Sequence, residues 1–303
     1  MVFLKKGFLL AACVSCTVLS AQEDGMASFF EEEADQSTKV IATFKSTHLI
    51  NAETNETVKK KSLDFRITHR FGDIAGDGGG GHTLWGLDNA SNIRFSFDYG
   101  ITDKLTIGVG RSKENEHIDA SVKYKVMEQM KGGFPMSIVV FANTGIIPRK
   151  NIGEQFPSFT SRLSYSYQAI FTKKINWRAS IGLLPTFVHR NRVSNDINAA
   201  NGSQDQNDLF SMAAIGRFKI TQSLGIIAEY FYTFSEFRRN NTLNPYYMPL
   251  GVGVEIETGG HVFQVNFTNA SGIIYNDFIP NSADSWDSGA FKIGFTISRV
   301  FGG

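Results

Sequence analysis

Residues 86–110 read GLDNASNIRFSFDYGITDKLTIGVG and contain the pattern that decides the fold. From residue 92 to residue 99, polar and apolar side chains alternate without interruption. Successive side chains of a β-strand point to opposite faces, so Ile93, Phe95, Phe97 and Tyr99 share one face. Residues 100–103 have the composition of a turn and lead into a second, weaker alternation over 104–111. The stretch therefore predicts two antiparallel strands joined by a tight turn.

The same period of two recurs along most of the chain. A candidate at 38–49 precedes the others, and we predict that it is an extra strand, folded back or paired near the periplasmic rim. Twelve predicted strands follow it, a number that suits the even strand count of bacterial barrels, with ten and fourteen as alternatives. The strong alternations cover 62–71, 92–99, 118–126, 159–171, 248–257, 263–268 and 291–298, and the weaker ones cover 104–111, 136–145, 175–190, 208–220 and 224–235.

Short and long connections alternate between these strands. The short turns are 100–103, 172–174, 221–223 and 258–260, and the long polar segments are 72–90, 146–158, 191–207, 236–247 and 270–288. Tight turns at one end and large loops at the other are typical of outer-membrane barrels. A large soluble β-sandwich would produce the same alternation but not this rhythm of connections. We therefore predict an all-β, antiparallel up-and-down transmembrane β-barrel over residues 38–303.

The composition excludes several other classes of protein. The 303 residues include 42% hydrophobic and 19% charged side chains, with 26 Phe and only 7 Pro. These values exclude a collagen, a coiled coil, a disulfide scaffold and a polytopic helical membrane protein. The net charge of +1 gives no indication of a nucleic-acid partner.

The N-terminus resembles a secretory signal. Lys5 and Lys6 precede an apolar stretch over 7–19, and small residues lead to a predicted cleavage site after Ala21. The alternative is that Cys13 is the acylation site of a lipoprotein. Residues 22–37 are polar and acidic, which predicts a flexible arm, and the whole arrangement predicts export to the outer membrane of a Gram-negative bacterium.

The polar face of the predicted strands carries charges of both signs. Charged side chains cannot face lipid, so this face is predicted to line the barrel interior. If the charges pair fully they plug the barrel, whereas unpaired basic residues would line a pore that favours anions. The predicted lumen residues are Asp64, Arg66, Arg70, Arg94, Asp98, Lys123, Arg162, Arg178, Glu255 and Lys292, and the predicted aromatic girdles at the membrane interfaces contain Phe71, Tyr99, Tyr165, Tyr167, Trp177, Tyr230 and Tyr232.

Three segments together carry a resemblance to a known family. They are Thr43–Thr47 (TFKST), His69–Gly72 (HRFG) and the block 86–110. They resemble an uncharacterised family of secreted bacterial outer-membrane β-barrel proteins, a domain of unknown function, over roughly residues 38–300. The resemblance implies a barrel in the outer membrane and no established activity. The chain end resembles a barrel-assembly signal only in part, because Phe301 is followed by two glycines and Arg299 occupies a position where an aromatic is usual. Outer-membrane lipid and the barrel-assembly machinery are the partners expected on this basis.

No motif in the sequence predicts catalysis, a metal or a cofactor. The glycine-rich segment 73–82 lacks the Gly-Lys-Ser/Thr of a phosphate-binding loop, and no histidine pair has the spacing of metal ligands. We therefore predict a narrow passive channel for small polar or anionic solutes. The first alternative is a non-conducting barrel that displays loops 72–90, 191–207 and 270–288 for adhesion or complex assembly. The second is a membrane-embedded hydrolase that uses His189 or His261.

Overall fold

A computed structural model of the chain describes residues 38–150 and 156–302. Within them, twelve strands form one closed antiparallel barrel in which each strand pairs with its sequence neighbours and the last pairs with the first. This confirms the predicted fold and strand number. The strands are β1 (Leu63–Asp73), β2 (Ala90–Gly100), β3 (Leu105–Ser112), β4 (Ile118–Met127), β5 (Ser137–Ile146), β6 (Leu163–Lys174), β7 (Ala179–Arg190), β8 (Asp208–Lys219), β9 (Leu224–Phe234), β10 (Leu250–Thr258), β11 (His261–Thr268) and β12 (Lys292–Phe301).

The alternation in sequence becomes an alternation between lipid side and interior. In β2, Phe95 and Phe97 point outward and are 46% and 44% exposed, while Ser96 and Asp98 are buried inside. The outer surface of the barrel is apolar in the same way on the other strands. Of the predicted girdle residues, Phe71 and Tyr165 are partly exposed, and the exposed ones are Tyr99, Tyr167, Trp177, Tyr230 and Tyr232. No helix among the described residues has the length and apolar character needed to cross a membrane.

Residues 38–49 form no continuous strand: residues 38–40 pair with the β4–β5 turn, as the prediction of pairing near the rim allows, and from residue 43 the chain runs through the barrel interior. Both edges of β1 are already occupied, by β2 and by β12, so no free edge is left for another strand. Residues 47–54 form a tight hairpin in which Leu49 N donates to Ala52 O at 2.8 Å and Thr54 N donates to Thr47 O at 3.0 Å. We call residues 47–54 the plug hairpin. The predicted signal peptide (1–21), Cys13 and the acidic arm (22–37) lie outside the described residues.

The chain leaves the lumen and enters β1 by a close approach to the end of β2. Lys61 N donates to Gly100 O at 2.8 Å, and Gly100 N donates to Ser62 O at 3.0 Å. A Cβ atom on Gly100 would collide with the carbonyl oxygens of Val58 and Lys59. Glycine is therefore required at this position for the N-terminal segment to turn from the interior into the barrel wall.

The long connection between β11 and β12 also enters the barrel. It contains the helix α1 (Tyr275–Asn281), which packs against β6 and β7. Tyr275, Phe278 and Ile279 are buried in the same apolar cluster as Leu49 of the plug hairpin. The expectation that 270–288 is an external loop is therefore wrong for its central part, because three large apolar side chains of α1 are covered by the barrel wall and the hairpin.

Candidate functional site

The interior wall of the barrel has a charged side and an apolar side. The charged side lies on β1–β4 and β10–β12, where β1, β2, β4, β10 and β12 carry inward acidic or basic groups and β3 and β11 carry inward neutral polar groups. On β5–β9 many inward positions are apolar, and polar residues such as Asn143, Gln168, Arg217 and Glu229 lie between them. Because bare apolar walls do not suit a water-filled lumen, this side requires an apolar partner. Its main members are Val139, Phe141, Ile170, Leu184, Leu209, Ile227 and Phe231.

The tip of the plug hairpin is held by one buried carboxylate of the wall. Glu229 lies on β9 and is 2% exposed. Its Oε2 atom accepts hydrogen bonds from the backbone amides of Asn51 at 2.8 Å and Ala52 at 2.9 Å. Arg70 of β1 donates to Oδ1 of Asn51. The tip is thereby held by a carboxylate on β9 and by a guanidinium on β1.

A second carboxylate, Glu53 of the hairpin itself, faces the charged side. It forms an ion pair with Lys123 of β4, and His48 Nε2 lies 2.5 Å from its Oε1. Lys123 Nζ also donates to the carbonyl of Thr47 at 2.9 Å and to that of Glu56 at 3.3 Å. Burial raises the pKa of Glu53 above its ordinary value, and the positive charge of Lys123 opposes this rise. The ammonium of Lys123 is therefore the main charge that favours the ionised form of this buried carboxyl group.

Arg66 of β1 links the hairpin to the wall at the same level. Its Nη2 donates to Thr47 Oγ1 at 2.6 Å and to Asp64 Oδ2 at 2.7 Å, and its Nη1 contacts the ring of His48. Asp64 in turn accepts a hydrogen bond of 2.6 Å from Ser298 of β12. The hairpin thus joins a network that crosses the seam between the first and last strands.

Helix α1 meets the plug hairpin in the middle of the barrel. The hydroxyl of Tyr275 accepts a 2.5 Å hydrogen bond from the Glu53 amide, and burial raises the pKa of this hydroxyl well above its ordinary value. The ring of Phe278 packs edge-on against Phe231, with 4.9 Å between the ring centroids. Among the described residues, the space left between hairpin, helix and charged wall is about 40 Å³, enough for only one or a few water molecules. The lumen is filled at this level.

The structure places most of the predicted lumen residues inside, in contact with an opposite charge. Arg94 pairs with Asp119, Glu255 pairs with Arg217 at 2.8 Å, and Lys292 lies 2.7 Å from Asp73 and 2.6 Å from Asp284. Asp98 is also buried, but its Oδ2 has no hydrogen-bond partner within the described ranges.

Two predicted lumen residues occupy other positions. Arg162 is in a short 3₁₀ turn before β6, where it donates to the carbonyls of Ile147 at 2.8 Å and Arg149 at 2.7 Å. Arg178 is exposed in the turn between β6 and β7, with its guanidinium over the ring of Trp177. Both strands begin later than the alternation predicts, since residues 159–162 and 175–178 belong to connections.

Sequence reasoning missed the groups that the plug contributes or binds, chiefly Glu53, Glu229 and Tyr275. One indication was available, because Glu229 is the single charged residue in the otherwise apolar or neutral stretch 224–234. A charge in such a strand needs a buried partner, and here the partners are backbone amides of the plug hairpin.

The histidines proposed for a hydrolase show no catalytic arrangement. The two ring nitrogens of His189 lie 2.5 Å from Asp208 Oδ1 and 2.9 Å from Asn191 Oδ1, and the ring of His261 stacks on Phe263. Neither contact supplies a nucleophile for a histidine base. No group of three or more potential metal ligands is found in 38–150 or 156–302.

Glu114, in the connection between β3 and β4, is expected to make the loop end sensitive to pH. Burial, and then the nearby Asp277 carboxylate of α1, raise the pKa of Glu114 to about 7. A carboxyl group whose pKa is raised on folding stabilises the fold below its unfolded pKa of 4.5, and this stabilisation is lost as the pH rises through about 7. We expect the loop segment that carries α1 to be more protected from hydrogen exchange at pH 5.5 than at pH 8, by on the order of 1–2 kcal/mol after correction for intrinsic rates.

The control for this prediction is Glu114→Gln, which retains a side-chain acceptor for Asn92, the residue whose amide donates to Glu114 at 3.1 Å. We expect it to remove most of the pH dependence. An unchanged difference between pH 5.5 and pH 8 in this variant would assign the effect to another group.

Several solved structures of barrels are similar to this chain. The NanC porin has a TM-score of 0.48 at 10% identity, with 78% of this chain and 98% of that chain covered. An outer-membrane channel from Pseudomonas putida F1 has a TM-score of 0.46 at 12% identity and 82% and 98% coverage. The KdgM porin has a TM-score of 0.44 at 10% identity and 80% and 99% coverage.

A search among curated proteins finds no match to this sequence. A family model described as a membrane-bound beta-barrel domain (DUF5777) matches residues 44–301. This range includes the plug hairpin and all twelve strands of the wall. This chain therefore belongs to that family of membrane-bound β-barrel domains of unknown function.

Proposed function

We propose that this protein is an outer-membrane channel whose own plug hairpin keeps it closed at rest, and that small polar or anionic solutes pass when the hairpin leaves the lumen. The observation that carries the proposal is the ionic attachment of the hairpin. Lys123 and Arg66 of the wall bind Glu53, His48 and Thr47 of the hairpin.

Such an attachment suits a removable plug better than a permanent filling. Buried ion pairs contribute little net stability compared with apolar packing of the same volume, because desolvation of both charges offsets their attraction. The charged groups of such a pair, however, are well hydrated once they separate. If the hairpin leaves while α1 stays against the apolar side of the wall, the residues Asp64, Arg66, Arg70, Asp98 and Lys123 face water, which is the usual lining of an aqueous pore.

The location in the outer membrane of a Gram-negative bacterium is part of the same proposal. The exposed apolar band of the wall requires lipid, and a closed barrel satisfies its backbone groups in lipid without free edges. The signal-like N-terminus supports export, and insertion by the barrel-assembly machinery follows from that route. The protein acts without a cofactor and without covalent chemistry in this proposal.

A non-conducting barrel that displays its external loops is the second candidate. The observation that favours it is α1, since this helix fills the lumen from the loop end and contacts the hairpin through Tyr275. Both candidates predict a closed resting barrel, and they differ in whether the plug can leave.

Conductance of the full mature chain in planar bilayers distinguishes them. Wild-type protein is expected to open rarely, whereas Glu53→Lys places two ammonium groups together at Lys123 and is expected to raise the open probability ~10-fold or more. The matched control is Glu236→Lys, at an exposed loop residue that pairs with Arg239. If Glu53→Lys protein is folded, as judged by heat-modifiable gel mobility, yet remains silent, the channel proposal is wrong and the display proposal is favoured.

A further inference from the structure

A pocket of about 370 Å³ opens at the loop end of the barrel, beside α1. It is bounded by described residues of the connections β3–β4, β5–β6 and β7–β8, by the start of β6 and the end of β7, and by α1. Its volume is within the range of small-molecule sites in proteins. Four arginines from two connections and one strand end line it: Arg149, Arg162, Arg190 and Arg192.

The two acidic side chains of the described lining are already paired, and one of them is paired with a pocket arginine. Asp205 lies 2.9 Å from Arg190 and 2.9 Å from Arg238. Burial favours the neutral acid, but the hydrogen bond from Arg190 and the charges of both arginines hold the pKa of Asp205 below its ordinary value. Asp277 lies 2.6 Å from His117 Nδ1. The described lining therefore contains more arginines than carboxylates, and neither of its carboxylates forms an ion pair with Arg149 or Arg162.

Two guanidinium donors at this pocket are also unsatisfied. The Nε atoms of Arg149 and Arg190 are buried and have no hydrogen-bond partner among residues 38–150 and 156–302. A buried donor without an acceptor carries a desolvation cost of about 1–3 kcal/mol. An acceptor that enters the pocket from solution would remove this cost, and it would be drawn there by the surplus of positive charge.

We infer that this pocket, which we call the arginine pocket, binds a small solute bearing an oxyanion, a carboxylate or a phosphate. Guanidinium groups match both oxyanions with paired N–H donors. The hydroxyl and amide groups of Ser161, Ser194 and Asn281 are placed to contact polar substituents of the same solute. The inference deepens the proposed function, since it places the selection of anionic solutes at the mouth of the channel, before the plug.

Binding to the full mature chain in detergent micelles tests the site without any need for conduction. The probes are citrate for a carboxylate and inorganic phosphate for a phosphate, with glucose as the neutral comparison. Titration calorimetry measures the binding of each. We expect at least one of the two anions to bind, with an affinity that falls as salt is raised, and glucose not to bind. Arg149→Gln is expected to weaken that binding about 10-fold, the loss of one hydrogen bond to a charged group.

Arg178→Gln is the matched control, because it removes an exposed arginine in a turn at the opposite end of the barrel. It is expected to leave the affinity unchanged. The inference is overturned if neither anion binds the folded wild-type protein, or if Arg149→Gln and Arg178→Gln bind the anion equally. If the protein conducts ions but binds neither anion, the anion site is wrong and the channel proposal stands. If it binds an anion but shows no conductance, the channel proposal is wrong and the anion site stands.

Discussion

Replacement of Lys123 by methionine is expected to release the plug hairpin from the barrel wall. The methionine keeps most of the side-chain volume but, among residues 38–150 and 156–302, leaves His48 as the remaining ion-pair partner of the buried Glu53. Loss of one partner of a buried ion pair costs about 3–5 kcal/mol, since the remaining charge is uncompensated. We expect hydrogen exchange of the hairpin amides, including those of Asn51 and Ala52, to accelerate about 100-fold or more. Exchange followed by mass spectrometry of the full chain in micelles measures this directly.

The effect should also depend on pH in a defined direction. Without Lys123 the pKa of Glu53 rises further, because the charge that opposed the effect of burial is gone. Protonation then removes the uncompensated charge more readily, so the hairpin of the variant should be better protected at pH 5 than at pH 8. Lys125→Met is the control, since Lys125 lies two residues further along β4 and pairs with Glu128 at the turn. Equal hairpin protection in Lys123→Met and Lys125→Met would show that the buried pair does not hold the plug.

Truncation of Phe278 to alanine is expected to detach α1 from the interior. Phe278 is 1% exposed, and its ring contacts the rings of Phe231 and Tyr275 at centroid distances of 4.9 and 5.4 Å. Removal of a buried phenyl ring costs about 3–5 kcal/mol, which includes the cavity left behind. A helix as short as α1 has little stability of its own, so it should leave the lumen rather than rearrange within it. Limited proteolysis of intact protein in vesicles should then cut the β11–β12 connection.

Phe234→Ala provides the comparison, because this ring is 52% exposed on the lipid side of β9. It should leave the connection resistant to protease. If Phe278→Ala protein is equally resistant, the position of α1 does not depend on this aromatic contact. Since Tyr275 of α1 contacts Glu53 of the hairpin, the effects of Phe278→Ala and Lys123→Met should not be additive.

The sequence predicts the barrel wall well because period two is a direct consequence of strand geometry. In residues 92–99 each polar side chain faces inward and each aromatic faces lipid, as the pattern requires. The predictions for 38–49 and 270–288 are each wrong in part, for different reasons. Alternation at 38–49 describes the local path of the chain but not which side of a closed wall it occupies, and the prediction for 270–288 rests on polar composition, which does not reveal the apolar side chains of α1.

The weak alternations were nevertheless informative about the plug. Four of the five weak stretches became β5, β7, β8 and β9, whose inward positions include Val139, Leu184, Leu209 and Ile227. A strand that is apolar on both faces lies between two apolar phases, here lipid and the plug. A weak difference in polarity between the two faces of a strand thus marks the side of the wall against which the plug packs. The residues that hold the plug cannot be identified in this way, because contacts such as Asn51 to Glu229 join residues distant in sequence.

The position of the two filling segments along the chain has a consequence for assembly. The plug hairpin precedes β1 by eight residues and α1 precedes β12 by ten, and β1 and β12 pair to close the barrel. Each filling segment is therefore attached to one of the two strands that close the wall. We expect the pairing of β1 with β12 to bring the hairpin and the helix together, so that filling and closure of the barrel occur in the same step of assembly.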